Sequence, residues 1–209
     1  MNVGFLVFPN LEELDLIGPW EMIGLWGEYF DGPERRLLIA QDSEPVACAK
    51  GLRIVPDCSF DDCPPLDLLL VPGGRGTREE VENQALITFV REQAASCQHV
   101  LSICTGAFIL QAAGLLAGKR ATIHWNSLDR LRQFTEVIVV EERVVHDGRI
   151  WTAAGVSAGI DLALALIEHL AGTETAGRVQ FAAEYYPGDL RYGTAHQGPE
   201  APGYLARPA

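Results

Sequence analysis

The segment Ser102-Ile103-Cys104-Thr105-Gly106 sets the architecture of this chain. Residues 99–103 (HVLSI) form a short apolar run that reads as a buried strand, and residues 106–113 carry a helical pattern. A single cysteine stands where the one becomes the other. A strand that turns directly into a helix through one reactive side chain has the layout of a nucleophile elbow, in which the tight turn lifts that side chain above the sheet. Gly106 is expected to give the incoming strand room against the helix. The helix N-terminus is expected to place amide N–H groups beside the sulfur and so favour thiolate. The first glycine of the usual elbow is Ser102 here, so the pattern is partial. The competing reading is a buried cysteine acting as a small hydrophobe. The strand-to-helix junction favours the catalytic one.

Outward from the elbow, short apolar runs alternate with longer helical patterns. Residues 3–8, 36–40, 52–55, 67–71, 137–140, 143–146 and 150–153 read as strands. Residues 12–25 read as a helix interrupted at Gly18-Pro19, and 83–97, 160–171 and 175–185 as further helices. Strands that are apolar throughout imply a parallel sheet covered on both faces. The expected architecture is α/β, doubly wound, with a mostly parallel sheet, helices on both faces and a cysteine elbow. Residues 1–186 are read as that one domain. Residues 187–209, rich in Pro and Gly, are read as a tail that is either mobile or laid over the body or a partner subunit.

Ligands of open α/β sheets sit at the carboxyl ends of the strands, which draws attention to three more segments. Val71-Pro72-Gly73-Gly74-Arg75-Gly76 follows a core strand, and its glycines let backbone approach a ligand. The N–H of Gly74, with that of Thr105, is a candidate oxyanion hole. Without Gly-Lys-Ser/Thr the loop is not a phosphate loop. Asp15 lies between apolar residues after the first strand and is either a helix N-cap or a buried acid with a role. His124, before Trp125, is either a base for the thiol or a packed structural histidine.

Composition bounds the rest. The chain has 209 residues, with 28 Asp and Glu against 16 Lys and Arg, a formal net charge of −12. That field repels phosphate backbones and argues against a nucleic-acid surface. The five cysteines, Cys48, Cys58, Cys63, Cys97 and Cys104, show neither a zinc spacing nor a C-x-x-C pair, so no metal site or disulfide framework is indicated. Only Cys104 has a catalytic context. The N-terminus lacks a charged leader and no apolar run approaches a membrane span, so a cytoplasmic protein with free thiols is expected.

Taken together the segments resemble the ThiJ/PfpI superfamily, the class I glutamine-amidotransferase-like fold, and within it the isonitrile hydratases. The resemblance runs from Gly4 to about Tyr186. It is carried by G-F-L-x-F-P (4–9), L-D-L-x-G-P (14–19), F-x-D-C-P-P-L-D (60–67), P-G-G-x-G (72–76), C-T-G (104–106), A-A-G-L-L-x-G (112–118), A-T-x-H-W (121–125), E-R-V-V-x-D-G (142–148) and A-G-I-D (158–161). It implies Cys104 as nucleophile, Asp15 as the acidic partner of its thiol, Thr105 and Gly74 as the oxyanion side with Gly73 beside them, and Val156 as an aliphatic residue close to the cysteine.

Departures from the pattern are Ile17, where relatives carry Thr, and Ala154-Gly155-Val156-Ser157, where they read G-G-G-I-T. Both are expected to alter pocket polarity. Thr105 after the cysteine excludes the Cys-His arrangement of peptidase-like relatives, and a late H-x-E segment of true glutaminases is missing.

The activity implied is hydration of organic isonitriles to N-substituted formamides, without a cofactor, by a homodimer acting on a small molecule. Two other readings stay open. One is different thiol chemistry on the same fold, glyoxalase-like or small-amide hydrolysis. The other is a non-enzymatic ligand or redox sensor using an exposed, low-pKa Cys104. Regulators of the AraC class carry similar domains, but the tail is too short for their DNA-binding half.

Overall fold

A computed structural model describes residues 1–188 and 192–206. The tail residues 189–191 and 207–209 lie outside the described residues. The strands are β1 (Asn2–Leu6), β2 (Arg35–Ala40), β3 (Val46–Ala47), β4 (Arg53–Ile54), β5 (Cys58–Ser59), β6 (Leu68–Val71), β7 (His99–Ile103), β8 (Arg120–Ala121), β9 (Ile138–Val139), β10 (Val144–Asp147) and β11 (Ile150–Ala153). The helices are α1 (Glu13–Tyr29), α2 (Thr77–Glu80), α3 (Gln84–Ser96), α4 (Gly106–Ala112), α5 (Leu128–Leu131), α6 (Ala158–Ala171), α7 (Thr173–Ala182) and α8 (Gly203–Ala206).

Seven strands form the central sheet in the order β10-β11-β7-β6-β1-β2-β5. Every pairing in it is parallel except β10 with β11. The apolar runs explain the parallel arrangement. All four residues of β6 and all four of β11 are buried, which requires a covering layer on each face. Right-handed crossovers supply those layers. The chain steps one way from β1 to β2 and the opposite way from β6 to β7, so α1 and α3 fall on opposite faces. Helices α6 and α7 join α1, and α4 joins α3. The crossover direction therefore reverses between β1 and β6, and a crevice opens there at the carboxyl ends of the strands.

The interruption expected at Gly18-Pro19 is absent: α1 runs unbroken with Pro19 inside it. A proline in a helix interior costs about 3 kcal/mol because a hydrogen bond is lost and its ring crowds the preceding turn. Packing offsets that cost here, since Pro19 sits against Gly159 where α1 crosses α6. The last long helix ends at Ala182 rather than 185, and Glu184 takes a left-handed φ of 47° just beyond it. The predicted strands 52–55 and 137–140 shrink to the two-residue pairings of β4 and β9. Within the described tail, Tyr204 packs on the core, and Pro199, Ala201 and Pro202 line a cavity of about 400 Å³ with Trp125.

Candidate active site

Cys104 follows β7 with a left-handed φ of 54°, and Thr105 begins the turn into α4. Its N–H is tied to the carbonyls of Ala153 (3.0 Å) and Ala154 (3.2 Å), so the adjacent strand β11 fixes the elbow. Gly106 has the close approach the sequence called for: a Cβ there would meet the Val71 carbonyl oxygen at 2.3 Å. The neighbouring side of the thiol is closed by Gly155, where a Cβ would lie 2.8 Å from Cys104 Sγ and 2.5 Å from His124 Cδ2. Only a glycine lets the 154–157 loop lie flat between the cysteine and the histidine.

Asp15 is not an N-cap. It lies in the first turn of α1, fully buried, after Glu12 at the cap position. Its Oδ2 accepts a hydrogen bond from the Gly73 N–H at 2.9 Å. Its Oδ1 has no hydrogen-bond partner of ordinary geometry, although the Cys104 thiol lies close enough to interact with the carboxyl. Burial pushes the Asp15 carboxyl up to about 8, against the pull of the Gly73 amide. Burial, and then the neighbouring Asp15, push the Cys104 thiol above its ordinary range, while the Thr105 amide and hydroxyl pull it down less strongly. The expectation that the helix end favours thiolate at Cys104 is therefore corrected. The helix contribution has the expected sign, but desolvation outweighs it.

The Gly74 amide also needs correction. It donates to Thr105 Oγ1 at 2.9 Å, and that hydroxyl returns a bond to the Gly74 carbonyl at 3.1 Å. The N–H is thus already engaged, and the Thr105 amide is the donor that faces the sulfur.

The crevice over Cys104 is a cavity of about 240 Å³, and Gly74, Thr105, His124 and Val156 all line it. Burial holds the His124 ring neutral by lowering its pKa. Its Nδ1 accepts from the Asn126 N–H at 3.3 Å, which leaves the proton on Nε2. Among the described residues no group of three His, Cys, Asp or Glu is placed to hold a metal ion.

The DJ-1/PfpI family model matches residues 1–169. The chain belongs to the DJ-1/PfpI family. Isonitrile hydratase from Pseudomonas putida is 43% identical over 188 residues, covering 90% of this chain and 79% of that protein. The glutathione-independent glyoxalase DJR-1.2 from Caenorhabditis elegans is 31% identical over 140 residues, covering 66% of this chain and 74% of that protein. A solved ThiJ/PfpI family protein from Pseudomonas syringae superposes with a TM-score of 0.84 at 34% identity, covering 93% of this chain and 78% of that one.

Within this DJ-1/PfpI domain the residues singled out from sequence fall into one site: Cys104, Asp15, Gly73, Gly74, Thr105, His124 and Val156 all meet at the crevice. Ile17 does not. It is exposed and away from the cavity lining, so its exchange for threonine leaves the pocket's polarity unchanged. Cys104 is only 7% exposed and burial raises its pKa, which departs from the exposed, low-pKa thiol expected under the sensor reading. Burial likewise holds the thiols of Cys48, Cys63 and Cys97 up at about 11, 12 and 12, which suits inert core residues. Sequence reasoning missed Phe108, Arg78 and Arg130 in the cavity lining. Their separation along the chain left no local signal. The described chain contains no helix long and apolar enough to cross a membrane.

Proposed function

We propose that this protein hydrates isonitriles to N-substituted formamides, with Cys104 as nucleophile and Asp15 as proton carrier. The observation that carries the reading is the buried Asp15 carboxyl beside the Cys104 thiol, positioned by the Gly73 amide and kept protonated near neutral pH by burial. The 43% identity to an isonitrile hydratase supports it.

The pair begins with two protons and reacts after losing one; Asp15, the first to ionise, takes over the Cys104 proton as the sulfur becomes nucleophilic. The sulfur attacks the isonitrile carbon while Asp15 delivers its proton to that same carbon. The product is a thioimidate, R–N=CH–S–Cys104, beside an ionised Asp15. Water then adds: hydroxide to carbon, one proton to nitrogen by way of the Asp15 carboxylate. The Thr105 amide faces the charge that develops, and the Gly74 amide joins it by exchanging Thr105 Oγ1 for substrate. Breaking the C–S bond releases R–NH–CHO, and the hydroxyl proton returns to the Asp15–Cys104 pair. Every atom comes from substrate, water or the two side chains, so the sequence of steps requires no cofactor.

The glyoxalase relative supports a second reading, thiol attack on an α-oxoaldehyde in the same cavity. Incubating the protein separately with isonitriles and with methylglyoxal distinguishes the two. A formyl proton signal is the expected outcome, and lactate from methylglyoxal alone would replace the hydratase reading. The proposal includes an isologous homodimer, as the resemblance implies. Light scattering at working concentration tests it, and a monomer mass would remove it.

A further inference from the structure

We propose that the Cys104 cavity takes isonitriles that carry a carboxylate, bound by Arg75, Arg78 and Arg130. The inference rests on the hydratase reading and adds the substrate class. These three arginines line one small cavity in a chain whose net charge is −12. None of them forms an ion pair among the described residues. Arg75 donates through Nε (3.0 Å) and Nη2 (2.8 Å) to Asn10 Oδ1, a neutral amide that orients the guanidinium without offsetting its charge. Arg130 lies over the Phe108 ring, 4.4 Å from its centroid, which fixes its position at the cavity wall.

The acids nearby are otherwise engaged. Glu12, the acidic residue of the lining, pairs with Lys50. Asp129, beside Arg130 in sequence, pairs with Arg132 at 2.7 Å. Asp15 holds its proton near neutral pH. The mouth above the thiol therefore carries uncompensated positive charge from three planar guanidinium groups, whose forks match a carboxylate. A cavity of about 240 Å³ sets a small ligand. A neutral isonitrile leaves all three cations unused, whereas an isocyano carboxylate places its carbon at the sulfur and its anion at the arginines.

The test compares isocyanoacetate with its neutral ethyl ester on the full chain. The expected kcat/KM favours the anion by tenfold or more. That ratio falls toward one in Arg78→Gln/Arg130→Gln, exposed positions whose exchange spares the fold, and in 0.5 M salt. An ester that is turned over as well as the acid, with the ratio unmoved in the variant, overturns the proposal. A separate arm needs no hydratase activity: alkylation of Cys104 by iodoacetate against iodoacetamide, read by peptide mass. Wild type is expected to shift the ratio toward iodoacetate by at least fivefold relative to the double variant, and an unchanged ratio contradicts the charge assignment. If neither isonitrile reacts but the alkylation ratio shifts, the hydratase reading fails while the anion site stands.

Discussion

The Asp15 carboxyl and the Cys104 thiol occupy one desolvated space, and burial there raises the affinity of both groups for their protons. Asp15 comes from the first turn of α1 and Cys104 from the end of β7. They meet because the crossover direction reverses beside them. The pair, rather than either residue, is the titrating unit.

The activity should therefore be bell-shaped in pH. With Asp15 pushed up to about 8, the doubly protonated pair is inactive at pH 6, and kcat/KM rises toward pH 8 as the first proton leaves. It falls again when the second proton is lost. In Asp15→Asn the rise should follow the thiol alone, and turnover should drop by roughly 10²-fold or more, in line with loss of a general acid. A pH–rate profile of both proteins checks this.

Asp15 should also make the fold less stable as pH rises. A carboxyl whose folded pKa lies above its unfolded value of 3.8 contributes nothing adverse below that value. Between 3.8 and about 8 the unfolded chain releases a proton that the folded chain retains, and stability is lost across that window. Each tenfold difference in proton affinity is worth about 1.4 kcal/mol, and imperfect hydrogen bonding of the new amide takes back part of the gain. Asp15→Asn should thus be more stable than wild type by roughly 2 kcal/mol at pH 8. At pH 4 the gain should vanish. Urea unfolding at the two pH values measures it.

Gly155 has no room for a side chain. A Cβ at 2.8 Å from Cys104 Sγ and 2.5 Å from His124 Cδ2 must displace one or both. Gly155→Ala should cost about 1–3 kcal/mol as an overpacked site does. A shift of the nucleophile on the order of 1 Å should lower kcat/KM by about 10²-fold. Thermal unfolding and steady-state kinetics read the two effects separately.

We assign His124 the role of a wall rather than of the base. Its ring is held neutral and its Nδ1 is engaged by Asn126. His124→Gln should keep both limbs of the pH profile and change kcat/KM by less than about tenfold, because no proton step of the kind that carries larger factors is removed. Disappearance of the acidic limb in this variant would assign it the proton transfer instead.

Much of the fold was legible because apolar strands between helical patterns allow few arrangements. Residues 99–103 and 150–153 were read with the bounds that β7 and β11 show. The elbow was legible because it is local: Cys104 and Gly106 are two residues apart. Proline at position 19 misled, since sequence shows the local cost of a proline and not the α6 surface that offsets it. The protonation of Cys104 misled for the same reason. The helix end is visible in sequence, while the burial that outweighs it comes from the assembled fold. Arg78 and Arg130 stand 52 residues apart (130 − 78), and only the crossovers bring them to one cavity.

Covalent hydration at Cys104 is decided by proton NMR of an isonitrile incubated with wild type and with Cys104→Ala. Wild type should give a growing N-formyl signal and the variant none above background, with the variant's circular dichroism unchanged. Formamide produced at a comparable rate by Cys104→Ala, or no formamide from wild type across neutral and anionic isonitriles, would contradict it.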